Sequence, residues 1–259
     1  MSRWKAFAIH LSISAIIALA VLAIMLLVWY PYPLFEAVGG QRPLMILLGV
    51  DVILGPVITL AIFNTKKSRR ALTFDLSVIS LLQLTALVYG MSVVFQARPA
   101  YIVFKEDAFI LVTANLLNDE VLKKARYPEF RSLPLDGPRY VYTEIPKDVE
   151  GFNEVFVSEL NGKHLSQLPQ FYSPYSGHMA AVGKAGKPLS ELRKLNPDQA
   201  GEIDAAVRKA ARSESDLAYV PLRAKYQDQA VLVGKNDGKV MAILNLNPGA
   251  AAPLPGRGK

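Results

Sequence analysis

Asp51 is the residue of this chain whose chemistry most needs explaining, because it is the one carboxylate in an apolar run from Leu44 to Phe63. An aspartate within a membrane span costs about 2.5 to 3.5 kcal/mol on insertion scales, so it normally faces a partner or a cavity. It sits in Gly49-Val50-Asp51-Val52-Ile53-Leu54-Gly55-Pro56. Pro56 removes a backbone hydrogen bond and Gly55 lets another helix come close, so a kink is predicted here. His10 in one neighbouring run, and Gln83 and Tyr89 in another, are further polar points. Counting about 1.5 Å per residue from the basic ends of the runs puts Asp51 about 20 Å deep and Tyr89 about 21 Å deep, which predicts a hydrogen bond between them.

Three roles compete for Asp51. It could be a polar staple that fixes how the helices pack, a docking point for a partner's transmembrane helix, or a group for ion transfer or proteolysis. Aspartyl proteolysis needs a second facing aspartate, and the other candidate, Asp75, reads as a helix cap beside Arg69 and Arg70.

The polar part of the chain offers no catalytic constellation. His164 and His178 lie in different segments without metal spacing and read as surface residues. Glu154 and Glu159 fall on different faces of a helix. No glycine-rich phosphate loop or nucleophile elbow is present, and the absence of cysteine removes thiol chemistry and cysteine zinc sites. No metal, no cofactor and no enzymatic activity are expected.

Three apolar segments, 6–30, 44–64 and 75–97, must position the intramembrane polar groups. Each is long enough to cross a hydrocarbon core of about 30 Å as a helix. Arg3 and Lys5 precede the first segment, and Lys66, Lys67, Arg69 and Arg70 lie between the second and third. Arg42 alone lies between the first and second. The positive-inside rule makes the N-terminus cytoplasmic, and an odd number of spans makes everything after Ala97 extracytoplasmic. Trp4 then falls at the inner interface and Trp29, Tyr30 and Tyr32 at the outer one. A cleaved signal peptide is disfavoured by the length of the first run and by its exit, Trp29-Tyr30-Pro31-Tyr32-Pro33, which lacks small residues.

The net charge of +7 divides unevenly. Residues 1–97 hold seven basic and three acidic side chains, and residues 98–259 hold 22 and 19. Most of the excess is therefore topogenic, and the nearly balanced remainder argues against nucleic-acid binding.

Residues 98–247 read as an α+β domain. Tyr101–Phe104 and Phe109–Val112 form a hairpin, and Asn118 caps a short helix. Tyr140–Ile145 is a strand, and Val149–Leu160 is a helix with apolar residues at Val149, Phe152, Phe156 and Leu160. Pro169–Pro188 reads as an irregular loop. Asn196-Pro197-Asp198 starts a helix that runs to about Arg212. Leu217–Leu222, Ala230–Val233 and Val240–Leu246 are strands, the last two joined through Asn236-Asp237-Gly238. The stretch 248–259 reads as a disordered tail.

The membrane segments resemble a known family. Arg3-Trp4-Lys5-Ala6-Phe7, the Trp29-Tyr30-Pro31 exit leading to Leu34-Phe35, the run Leu47–Pro56, the start Phe74-Asp75-Leu76 and the exit Val94-Phe95-Gln96-Ala97-Arg98-Pro99 are similar to the TfpX/TfpZ family of type IV pilin accessory proteins. The likeness covers roughly 1–112. It implies a multi-pass inner-membrane protein of a Gram-negative bacterium with a periplasmic domain. Such a protein acts as a chaperone-like helper in the stability or assembly of its major pilin without catalysing a reaction. The implied partners are that pilin and membrane lipid. Asp51 is too far from the cytoplasmic face to meet a processed pilin's N-terminal amine, and His10, Gln83 and the 66–70 run lie nearer that end. The alternatives are a membrane-anchored enzyme acting on pilin or envelope, or a small sensor or transporter subunit.

Overall fold

A computed structural model describes residues 2–64 and 67–249, and these divide into two compact units. The first comprises the chain through Trp29 together with Gly40–Ala97. The second comprises Tyr30–Gly39 and the described residues from Arg98 onward.

The first unit is helical. Helix α1, Arg3–Ile24, starts where the Ser2 side chain accepts a hydrogen bond from the Lys5 N–H, and it continues through a π-helical turn, Met25–Trp29. The second long helix is α3, Gln41–Leu48, a π-helical segment Gly49–Leu54, and α4, Gly55–Ile62. The third is α5, Arg69–Ala97. The continuous helices Arg3–Trp29, Gln41–Ile62 and Arg69–Ala97 are each long and apolar enough to cross a membrane. Ile16, Leu19, Leu27, Ile46 and Leu82 on these helices stand more than half exposed. Asp75 lies well inside α5 and does not cap it; its carboxylate pairs with Lys67 at 2.6 Å. Of the predicted topogenic residues, Lys66 lies outside the described residues.

The second unit is a seven-stranded mixed sheet. Its strands are β1 (Pro99–Lys105), β2 (Ala108–Thr113), β3 (Arg139–Thr143), β4 (Tyr172–Pro174), β5 (Leu217–Arg223), β6 (Gln229–Gly234) and β7 (Val240–Leu244), in the order β4-β3-β1-β2-β5-β6-β7. The β1–β3 and β2–β5 pairings are parallel and the others antiparallel. Side chains alternate between faces along each strand. On one face Ile102, Phe104, Phe109, Val220 and Val231 pack with Val182 of α8, Met179–Ala185. On the other, Tyr101, Val103 and Val141 pack with Leu122 of α6, Asp119–Lys123, and with Phe130. The same face carries Leu217, Tyr219 and Leu232 against α9 (Leu189–Leu195) and α10 (Ala200–Ala210). Strands β5 and β6 are buried along their whole length, and their sequences are correspondingly apolar nearly throughout.

The predicted hairpin, cap and turn are present. The Asn118 side chain accepts from the Val121 N–H at 3.0 Å. Gly238 takes φ +60°, and a Cβ there would come within 1.7 Å of the Met179 carbonyl oxygen, so the turn between β6 and β7 requires glycine. Helix α7 has the predicted bounds, Val149–Leu160, but it buries Gly151 and Val155 and leaves Val149, Phe152, Phe156 and Leu160 more than half exposed.

Other expectations are corrected. The stretch Pro169–Pro188 is not an irregular loop, since it contains β4, paired with β3, and α8. The first two residues of the predicted tail are held to the domain, the Pro248 carbonyl accepting from the Tyr219 hydroxyl at 3.4 Å and the Gly249 carbonyl from Arg223 Nη1 at 3.0 Å, and the rest of it, from 250, lies outside the described residues. The largest difference concerns Tyr30–Gly39, which reads in sequence as a link between spans. It is part of the sheet domain. Leu34 and Ala37 of α2, Leu34–Ala37, are almost fully buried in the first-face core. The Pro33 carbonyl accepts from Gln229 Nε2 at 2.9 Å, Glu36 from Asn245 Nδ2 at 2.5 Å and the Ala37 carbonyl from the Tyr226 N–H at 3.1 Å. Tyr30 is buried here too, and is not a surface interface residue. Burial pushes its hydroxyl well above the usual phenol range, with the neighbouring Arg98 charge opposing the shift.

Candidate functional site

The polar groups of the helical unit gather where the second helix departs from α-helical geometry. In the π segment the Gly55 N–H bonds the Val50 carbonyl, a step of five residues rather than four. Continued by one residue, that register asks the nitrogen of Pro56 to serve the Asp51 carbonyl, and proline has no N–H to give. Gln83 of α5 supplies the missing donor, its Nε2 donating to the Asp51 carbonyl at 3.2 Å. The side chain reaches there because residue 55 is glycine; a Cβ would lie within 1.8 Å of the Gln83 amide nitrogen. Gly55, Pro56 and Gln83 thus form one device, which allows an irregular backbone in apolar surroundings without an orphaned carbonyl.

The predicted hydrogen bond from Tyr89 to Asp51 is absent. Tyr89 is 70% exposed, whereas Asp51 is 7% exposed. Depth along an axis does not fix the direction a side chain faces. Six residues separate Gln83 from Tyr89, and at about 100° per residue that turns Tyr89 roughly 120° away from the face Gln83 occupies. Asp51 Oδ1 is buried and has no hydrogen-bond partner among the described residues.

A second polar contact braces α1 against α4. His10 Nδ1 and Thr59 Oγ1 are hydrogen-bonded at 2.6 Å, with Thr59 2% exposed. Thr59 escaped the sequence reading, although it is the one hydroxyl residue in the second apolar run. The contact lies beside a groove of about 350 Å³ lined by His10 and Ser14 of α1, Asp51, Thr59, and Ser80 and Gln83 of α5, with Ile9, Ile13, Ile17, Leu84 and Leu87 supplying apolar walls. The structure therefore brings together His10, Asp51 and Gln83, with Gly55 and Pro56 shaping the backbone beneath them, and leaves Tyr89 outside.

The polar candidates of the sheet domain do not converge. Glu154 accepts from Gln170 at 3.0 Å and Glu159 faces Lys105 at 3.9 Å. His178 stacks on Tyr142, ring centroids 3.9 Å apart, so it is a half-buried packing residue and not a free surface one; His164 is also half-buried. Among the described residues no group of three or more His, Asp or Glu could hold a metal ion.

Comparison with known proteins places this architecture. The chain is 31% identical over 242 residues to a fimbrial assembly protein, serogroup E1, of Dichelobacter nodosus, an alignment that covers 92% of this chain and 93% of that relative. The chain belongs to the fimbrial assembly protein family. The serogroup I protein of the same organism is 29% identical over the same shares of both chains. The protein of serogroups C1 and C2 is 33% identical over 118 residues, 45% of this chain and 90% of that relative. The family model for fimbrial assembly protein FimB matches residues 1–39, which take in α1 and the α2 segment that packs into the sheet domain. No solved structure matches the chain. Membership in the fimbrial assembly family connects the helical unit and the sheet domain to pilus biogenesis and, through it, to pilus components as the class of partner.

Proposed function

We propose that this fimbrial assembly protein is a non-enzymatic, chaperone-like accessory of the bacterial inner membrane, which holds the major type IV pilin in a stable, assembly-competent state before it enters the pilus. The observation that carries the proposal is the match to a fimbrial assembly protein along nearly the whole chain. The resemblance of the membrane segments to the TfpX/TfpZ accessory family supports the finer assignment to type IV pilin.

The fold supports the matching topology. Tyr30–Gly39 lies between the first and second apolar helices, and it shares a core with strands that follow the third. Two segments of one core lie on one side of a membrane, which is what three crossings produce. Basic residues Arg3, Lys5, Lys67, Arg69 and Arg70 mark the opposite ends of the helices, and under the positive-inside rule they support a periplasmic sheet domain. A pilin waiting in the membrane occupies the same two compartments, with an apolar helix in lipid and a head outside.

Deletion and complementation test this reading. In a strain lacking the gene, the steady-state level of the major pilin and the number of surface pili should fall, and both should return with the plasmid-borne gene. Normal pilin and normal piliation in the deletion strain would overturn it.

A further inference from the structure

We propose that the groove between α1, the second helix and α5 is the seat of a fourth membrane helix, supplied by a partner and carrying a hydrogen-bond donor that reaches Asp51. The inference rests on the accessory function proposed above, under which that helix belongs to the pilus subunit.

Three observations carry it. The first is the unbonded carboxyl: Asp51 is 7% exposed, it lines the groove, and its side chain makes no hydrogen bond among the described residues, with Oδ1 closed off inside the unit and the rest of the group turned to the groove. In hydrocarbon such a group finds a donor in protein or remains a net cost. The second is length. The groove is lined from Ala6 to Ile17 on α1 and from Leu76 to Leu87 on α5, eleven helical steps on each, or about 16 Å. That is three turns of a helix lying alongside. The third is the wall composition. Ala6 and Ser14 on α1 and Ser80 on α5 are small residues of the kind that let helix backbones approach, interleaved with Ile9, Ile13 and Leu84 as packing surface. A lipid chain would fill the apolar volume but brings no donor to a carboxyl at this depth. A helix with a hydroxyl, amide or amine on its groove-facing side satisfies both halves of the lining.

The structure also separates this role from that of a staple. The staple of the helical unit is Gln83 on the Asp51 carbonyl, with His10 on Thr59, and neither uses the Asp51 side chain. The carboxyl group is left for something outside the unit.

The test is photocrosslinking of the full-length protein in pilus-bearing cells. Photoreactive residues go at Ile13 and Leu84, which line the groove, and at Ile16 and Val88, which are exposed outside it. The pilus subunit should be captured from Ile13 and Leu84 about tenfold more than from Ile16 and Val88, and Asp51→Leu should lower that capture about tenfold. Asp51→Asn, which keeps an acceptor oxygen, should retain most of it. Ser80→Trp, which fills the groove and leaves Asp51 alone, should act like Asp51→Leu and guards against a variant that fails to fold. Equal capture from all four positions, capture of a second copy of this chain in place of the subunit, or capture insensitive to both Asp51→Leu and Ser80→Trp would overturn the proposal. A deletion strain that loses pilin, combined with no capture in the groove, removes the groove and leaves the accessory function standing. A deletion strain with normal pilin and pili removes the function and with it the occupant named here.

Discussion

The two units treat buried polar atoms in opposite ways. In the sheet domain Arg223 is 5% exposed with an unpartnered Nε, yet its Nη1 donates to Asp228 at 2.9 Å and to the Gly249 carbonyl at 3.0 Å. Gln229 is fully buried with an unpartnered Oε1, yet its Nε2 holds the Pro33 carbonyl. Each of these side chains ties together segments far apart in sequence. The Asp51 side chain in the helical unit ties nothing to anything among the described residues. In the sheet domain the side chains that carry an unpartnered atom still hold the fold together through another atom, whereas the helical unit keeps a buried carboxyl that makes no bond at all among the described residues and is open to completion from outside.

Asp228→Ala should break the finished side of this contrast most severely. It removes the partner of a guanidinium buried to 5% and the acceptor of the Ala224 N–H, and uncompensated buried charge typically costs about 3 to 5 kcal/mol. Urea unfolding of the purified full-length protein, followed by near-ultraviolet circular dichroism, measures it. A loss under about 1 kcal/mol would show that Arg223 is hydrated after all. Next in size is Leu34→Ala. Leu34 is 1% exposed in the first-face core, so the truncation should cost about 2 to 5 kcal/mol in the same experiment. No change would mean that the segment between the first two helices only touches the sheet domain.

What the sequence shows and hides follows the same division. Length and apolarity alone give the three long helices, the spacing of apolar residues gives the bounds of α7, and turn or cap chemistry gives the β1–β2 hairpin, the Asn118 cap and the Gly238 turn. What stays hidden is pairing between distant segments. Pro33 and Glu36 look like ordinary link residues until Gln229 and Asn245 are brought beside them. Strand β4 has three residues and no alternation to read, and it exists because β3 offers it an edge. At the candidate site, Asp51, Gly55 and Pro56 are legible because each breaks a rule of apolar helices. The choice between Gln83 and Tyr89 is not, because depth is linear in sequence while azimuth depends on helical phase, and the π segment shifts that phase.

The open side of the contrast predicts a change of opposite sign. Asp51→Leu removes a buried acceptor that bonds nothing and should stabilise the packing of the three helices by about 1 to 3 kcal/mol. Denaturation of helical content in a titration from mild detergent into dodecyl sulfate reads it, with the sheet domain's own unfolding unchanged. Destabilisation would return Asp51 to the role of an internal staple.

The smallest effect sharpens why burial, and not pairing as such, separates the two units. Arg212 grips Asp237 with two hydrogen bonds, at 3.0 and 2.7 Å, a better geometry than the Arg223–Asp228 pair has. Those bonds, with a further one from the Lys239 N–H, hold the Asp237 carboxyl down to about 2. Because the folded value lies below the unfolded one of 3.8, the pair stabilises the domain in full above about pH 4 and the contribution is lost as pH falls through about 2. The Asp237 side chain is 43% exposed, so solvent screening keeps that contribution under about 1 kcal/mol. Asp237→Asn should therefore lower the Tm of the domain by no more than about 2 to 4 °C at pH 6, and the gap between the two proteins should shrink as pH falls through about 2. A gap that does not narrow between pH 6 and pH 2 would assign the effect to the geometry of the Asn236-Asp237-Gly238 turn, since half-protonation of the carboxylate must weaken an ion pair.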